Sequence, residues 1–211
     1  MNTEQFIQTL SADSQMEQRV DRSLVIALVV SGLITGGLFL ALFGIRPDIG
    51  TAITRPDVLL KQVFPWVVAL AGLGIVVRLS RPGAKAGAWI WPLLAVPVAI
   101  LLAIGQEMML ISPDLWARTA MGHSAMICLS TIPLLALPIA AVCFWVLRDG
   151  AATRPTLCGA FAGLMSGGAA AAMYAFFCTD DSPMFFGIWY VAGIGIVTLA
   201  GAVAGTKFLK W

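Results

Sequence analysis

Residues 24–43 read LVIALVVSGLITGGLFLALF, apolar or small throughout and without a charge. A helix of roughly 20 such residues crosses about 30 Å of hydrocarbon, so this stretch predicts a membrane span. Five further stretches repeat the pattern, at 63–79, 88–104, 126–147, 157–177 and 184–205. The composition agrees: 59% of the 211 residues are hydrophobic, 11% are charged, and the mean hydropathy is +0.90. These values lie outside the soluble range. The predicted fold is an all-α integral membrane protein of six transmembrane helices. Its second and third spans are short and hold Pro65, Pro92 and Pro97, which a bundle tolerates where neighbouring helices satisfy the freed backbone groups.

The residues before the first span include Glu4, Asp13, Glu17 and Asp21, and no small-residue cleavage site follows it. That argues against a signal peptide. With the N-terminus inside, only Arg46, Arg55, Lys61 and Arg118 of the thirteen lysines and arginines fall in outer loops. Basic residues concentrate on the cytoplasmic side, so both termini are expected there. Two parts result, a head at 1–22 and a six-helix bundle at 23–211. No loop is long enough for a catalytic domain.

The spans hold almost no ionisable residues, whereas pumps and intramembrane enzymes retain them because they use them. Arg78, Glu107, Asp180 and Asp181 read as solvated groups at helix ends or in loops. A phosphate-binding glycine loop, a His-Glu-x-x-His pair and a Gly-x-Ser-x-Gly elbow are all missing. Pump, hydrolase and metalloprotease readings therefore lose ground. Small residues at Gly32 and Gly36, at Gly159, Gly163, Gly167 and Gly168, and at Gly201 and Gly205 let helices approach closely. They predict tight packing inside one bundle or, as the second reading, a homodimer face. The triplets Arg46-Pro47-Asp48 and Arg55-Pro56-Asp57 share one loop and do not indicate duplicated transporter halves.

Four cysteines remain, at 128, 143, 158 and 178, with no Cys-x-x-Cys pair. Topology sorts them into an outer pair, Cys128 and Cys178, and an inner pair, Cys143 and Cys158. Cys128 and Cys143 lie about 22 Å apart along their helix, so mixed pairs cannot meet. A thiol near the surface among charges reacts with oxidants or soft metal ions, whereas one buried in apolar surroundings is inert. Both readings stay open for the outer pair. Thiolate and thioether ligands favour copper(I), zinc or cadmium, and Met121, His123 and Met126 lie near Cys128 in sequence. The lone His123 reads first as a hydrogen-bonded anchor.

In the head, Asn2 and Thr3 can cap a short helix with Gln5 completing the box, placing Phe6, Ile7 and Leu10 on one side. Such a helix is too short to be stable alone. It would gain order in a partner's groove or on the membrane surface.

The sequence also resembles the NrsF family, the membrane-bound negative regulators of sigma F. The resemblance lies in the head TEQFIQTLSAD (3–13), in GIRPD (44–48), RLSRPG (78–83) and CLSTIPLLALP (128–138), and in the block LRDGAATRPTLCGAFAGLMSGGAAAAMYAFFCTDDSPMFFGIWY (147–190). It implies a non-enzymatic anti-sigma factor in the bacterial inner membrane. The head would bind an extracytoplasmic-function sigma factor, with contacts carried over to Phe6, Ile7 and Leu10. Two family cysteines are implicated in sensing heavy-metal or oxidant stress, and the matching positions are Cys128 and Cys178. The resemblance gives Cys143 and Cys158 no role. It implies no permanent cofactor, a transient soft metal ion as one form of signal, and no direct contact with nucleic acid.

Two readings from other classes compete. A membrane thiol-disulfide oxidoreductase needs a cysteine pair that turns over, and would normally show closely spaced cysteines. A small metal transporter needs flux, and the scarcity of polar groups inside the spans counts against it.

Overall fold

The computed structural model describes residues 3–81, 83–150 and 152–209, with side chains from Ser23 onward. Eight helices follow in order: α1 (Thr3–Phe43), α2 (Ile49–Ala52), α3 (Pro56–Leu79), α4 (Ile90–Leu110), α5 (Trp116–Met121), α6 (Ala125–Leu147), α7 (Pro155–Tyr174) and α8 (Pro183–Phe208). Among the described residues there is no strand. Six helical stretches are long and apolar enough to cross a membrane, in α1, α3, α4, α6, α7 and α8. Successive crossings group the loops at two ends, named here the Cys178 end and the Cys158 end.

α7 lies at the centre: 61% of its most apolar stretch is buried, against 17% for α1 and 6% for α4, which form the edges. Small residues explain its position. A Cβ on Gly163 would stand 2.4 Å from the Val197 carbonyl oxygen, and one on Gly159 would stand 2.3 Å from that of Gly201. Only glycine lets α7 and α8 touch backbone to backbone at this range. On another face of α7, Gly168 meets the backbone of α3 at Ala69, and Gly32 and Gly36 of α1 take the side chain of Met173. These glycines therefore pack helices of one chain together, the first of the two readings.

Two buried clusters form the core. The one toward the Cys178 end includes Phe64, Cys128, Ile132, Tyr174, Cys178, Phe185, Phe186 and Tyr190. The other holds Leu24, Ile75, Ile139, Cys143, Cys158 and Met165. Cys143 and Cys158 are fully buried there among apolar side chains.

Several expected boundaries move. α3 begins at Pro56, not residue 63, because Pro56 at its first turn and Asp57 beside it are both favourable helix starters. Lys61 is consequently a buried helical residue rather than part of an outer loop. α4 runs to Leu110, past the expected end at 104, and takes Glu107 into the helix. Pro92 falls in the first turn of α4, where its missing N–H costs nothing. α7 ends at Tyr174, after which turns lead through Cys178. α1 is continuous from Thr3 to Phe43, so the expected short head helix runs on into the first span. Asn2 and the side chains of Phe6, Ile7 and Leu10 lie outside the described residues.

Candidate functional site

Cys178 sits in the turn that follows α7, its N–H donating to the Tyr174 carbonyl at 3.0 Å. Cys128 lies in the first turn of α6, its N–H donating to the Ser124 carbonyl at 2.8 Å. Both are free thiols, 2% and 0% exposed, and both belong to one buried cluster. The two cysteines selected by topology thus share one end and one environment. Ser124 bridges them: its carbonyl holds Cys128, and its hydroxyl lies 3.6 Å from the Cys178 sulfur.

Asp180 closes the site from above. Its carboxylate accepts the Ser124 hydroxyl at 2.5 Å, the Ser124 N–H at 3.0 Å and the His123 N–H at 3.2 Å. The His123 ring lies 3.3 Å away, an anchor on the latch rather than a ligand beside the thiols. Burial pushes the Asp180 carboxyl up, but the hydrogen bonds from Ser124 and His123 outweigh it and hold the group below the ordinary carboxylate value. The turn needs Gly122, whose φ is 55° and where a Cβ would stand 2.4 Å from the Phe185 ring. Met121 and Met126, the thioethers adjacent in sequence, are 57% and 73% exposed and do not join the buried thiols.

Beneath this latch lies a charge network that the sequence reading assigned to solvent. Asp181 is 8% exposed, Arg46 4% and Lys61 1%. Arg46 grips both Asp181 oxygens, at 2.5 and 2.9 Å, and both Asp48 oxygens, at 2.7 and 2.8 Å. Lys61 donates to Asp181 at 3.1 Å, and Arg55, paired with Asp57, reaches the same carboxylate at 3.7 Å. Arg46, Arg55 and Lys61 are thereby balanced by Asp48, Asp57 and Asp181. Burial raises the Asp181 carboxyl, yet the Arg46 hydrogen bonds and the Lys61 charge hold it below its ordinary value. Arg46 holds Asp48 down to about 2. The Arg46 guanidinium is pushed further up by Asp48 and Asp181.

The network touches the cysteine site directly. The carbonyl of Cys178 accepts from Lys61 Nζ at 2.6 Å and from Arg46 Nη1 at 3.2 Å. Lys61 also lies 5.9 Å from the centre of the Tyr190 ring. Tyr174 and Tyr190 are fully buried 5.7 Å apart, and among the described residues neither hydroxyl makes a hydrogen bond of ordinary geometry.

Glu107 is likewise not a bare surface charge. It accepts from the Ser182 hydroxyl at 2.8 Å and the Met184 N–H at 2.9 Å, capping the start of α8 from α4. Among the described residues no group of three or more His, Cys, Asp or Glu is arranged to hold a metal ion.

A family model described as NrsF, negative regulator of sigma F, matches residues 10–211. The chain belongs to the NrsF family. The anti-sigma-F factor NrsF of Caulobacter vibrioides is 34% identical over 215 residues, covering the whole of both chains. The probable anti-sigma-F factor NrsF of Azospira oryzae is 33% identical, again over the full length of both. No solved structure matches the chain. The NrsF family is one of regulators, not of catalysts.

Proposed function

We propose that this chain is a membrane anti-sigma factor that holds a sigma factor of the sigma F, extracytoplasmic-function type at the inner membrane and releases it under thiol-directed stress. The full-length match to two anti-sigma-F relatives carries the reading. The head at 1–22 supplies the sigma contact through Phe6, Ile7 and Leu10. Both termini face the cytoplasm, and the bundle at 23–211 is the sensor.

Cys128 and Cys178 receive the signal. A soft metal ion bridges them as thiolates with loss of two protons. Alternatively, an oxidant of the diazene or quinone class takes two electrons and two protons, so that two S–H bonds break and one S–S bond forms. Their place in one cluster supports the pairing, and because both are buried the signal reaches them only once the Asp180 latch over Cys178 opens. A tenfold loss of sigma affinity needs only about 1.4 kcal/mol of difference between two bundle states.

The test is co-purification of the detergent-solubilised chain with a sigma F-type factor from the same genome, beside a chain lacking residues 1–21. Retention by the first and loss by the second support the reading. Equal capture by both would remove the head from the mechanism, and no capture by either would remove the function. Normal release under cadmium or diamide from a chain with Cys128→Ser and Cys178→Ser would remove the switch.

A further inference from the structure

The reading above separates the thiols from the head by the full thickness of the bundle, and α1 joins them. Its 41 residues span about 60 Å at 1.5 Å per residue, from the head to the Cys178 end. There the chain leaves the helix at Gly44, whose φ is 77°, and is fastened at once. The Arg46 N–H donates to the Phe176 carbonyl at 3.0 Å. Its guanidinium holds the Cys178 carbonyl and Asp181. The Phe39 and Phe43 rings stand 6.0 and 5.7 Å from Phe177. Lys61 fixes the same Cys178 carbonyl and the same carboxylate to α3. The peptide group of a sensing cysteine is therefore shared between α3 and the extension of α1.

Between its two ends α1 packs on one face only, where Leu24, Leu28, Ser31 and Phe39 are buried, whereas Val29, Leu33, Ile34 and Leu38 on the other face are all more than half exposed. That packed face meets α6 and α7, Met173 of α7 reaching Gly32 and Gly36. Toward α3 it leaves a cleft of about 510 Å³, lined by Gly32, Gly36, Trp66, Leu70 and Met173 among others. A stiff helix clamped at its Cys178 end and free on one face moves as one body when the clamp moves.

We propose that α1 is the lever that carries the thiol signal to the head, with Arg46 as the positioning residue that couples it to Cys178. A change at the Cys178 thiol displaces its own carbonyl and Asp181. Arg46 follows them, and the displacement of α1 as a unit reaches the head. This inference rests on the anti-sigma reading.

The experiment uses the full chain bound to the sigma F-type factor and measures release on adding cadmium chloride or, separately, diamide. A flexible glycine-serine heptad inserted after Arg22 is expected to keep sigma binding and to lose at least tenfold in triggered release. An alanine-rich helical heptad at the same place keeps the rod stiff and nearly in phase, and is expected to respond like the unaltered chain. Arg46→Lys keeps the cation but loses the fork, and is expected to weaken release without weakening capture. Release from the flexible insertion equal to that of the unaltered chain overturns the lever, even if Arg46→Lys fails to fold. If the unaltered chain itself neither captures nor releases, the anti-sigma reading has failed, a result distinct from loss in the insertions alone.

Discussion

Arg46 and Asp181, 135 positions apart in sequence, meet through hydrogen bonds of 2.5 and 2.9 Å with less than a tenth of either residue exposed. The pair joins the segment after α1 to the segment between α7 and α8, so it closes the Cys178 end of the bundle. Removing one partner leaves a buried charge uncompensated, which costs about 3–5 kcal/mol. Asp181→Ala and Arg46→Ala are each expected to lower the thermal midpoint in detergent strongly. Their combination is expected to cost much less than the sum, as a double-mutant cycle would show.

Acid should loosen the same end. Asp48, Asp180 and Asp181 all sit below their ordinary value of 3.8 in the folded chain. Each therefore contributes stability that is complete above 3.8 and is lost as pH falls through the lower folded value, about 2 for Asp48. Thermal midpoints measured between pH 7 and pH 3 are expected to be flat and then to fall below about pH 4. In Asp181→Asn the fall should be shallower, though from a lower starting point.

The Asp180 latch is expected to control access to Cys178. Its carboxylate holds both Ser124 groups and the His123 N–H over a thiol that is 2% exposed. Hydrogen bonds to a charged group contribute about 1.5–3 kcal/mol each. Asp180→Ala is therefore expected to speed labelling of Cys178 by a bilayer-impermeant maleimide by about tenfold or more, located by mass spectrometry. An unchanged labelling rate would mean that the thiol is reached by another route.

Two glycines in α8 should behave oppositely. A Cβ on Gly201 would stand 2.4 Å from the Gly159 carbonyl oxygen, whereas one on Gly195 meets nothing within 4 Å. Gly201→Ala is expected to destabilise the bundle, and Gly195→Ala to be neutral or to add up to about 1 kcal/mol through helix propensity. Thermal melts of the two variants side by side decide this.

Among the described residues the buried Tyr190 hydroxyl makes no hydrogen bond of ordinary geometry. Such a group costs about 1–3 kcal/mol to desolvate, so Tyr190→Phe is expected to keep or raise the thermal midpoint. A lowered midpoint would show that the hydroxyl has a partner in the folded protein.

Much of this was legible in sequence. The six spans follow from length and hydropathy, which are local properties of each segment. The two-end sorting of the cysteines follows from counting crossings, and the glycine spacing announces close helix packing, although not that α7 and α8 are the partners. The true start of α3 is also legible, in Pro56 and Asp57, but the continuous apolar run begins only seven residues later. That misplacement hid Lys61, since a lysine in a loop needs no partner and a lysine in a buried helix does. The paired Arg-Pro-Asp triplets lie in one loop and by themselves indicate no duplicated transporter halves. In the fold, both arginines hold the aspartate two residues on, and both reach Asp181.

The sequence by itself determined that the chain has six segments long and apolar enough to cross a membrane and which cysteines share an end, because both depend only on the order and length of apolar segments. Tertiary structure alone decided that Asp181 is buried, that Glu107 caps α8, and that Arg46 and Lys61 hold the carbonyl of Cys178. Those contacts join residues more than seventy positions apart, and a charge reveals whether it is solvated or paired only when the helices that bring its partner are in place.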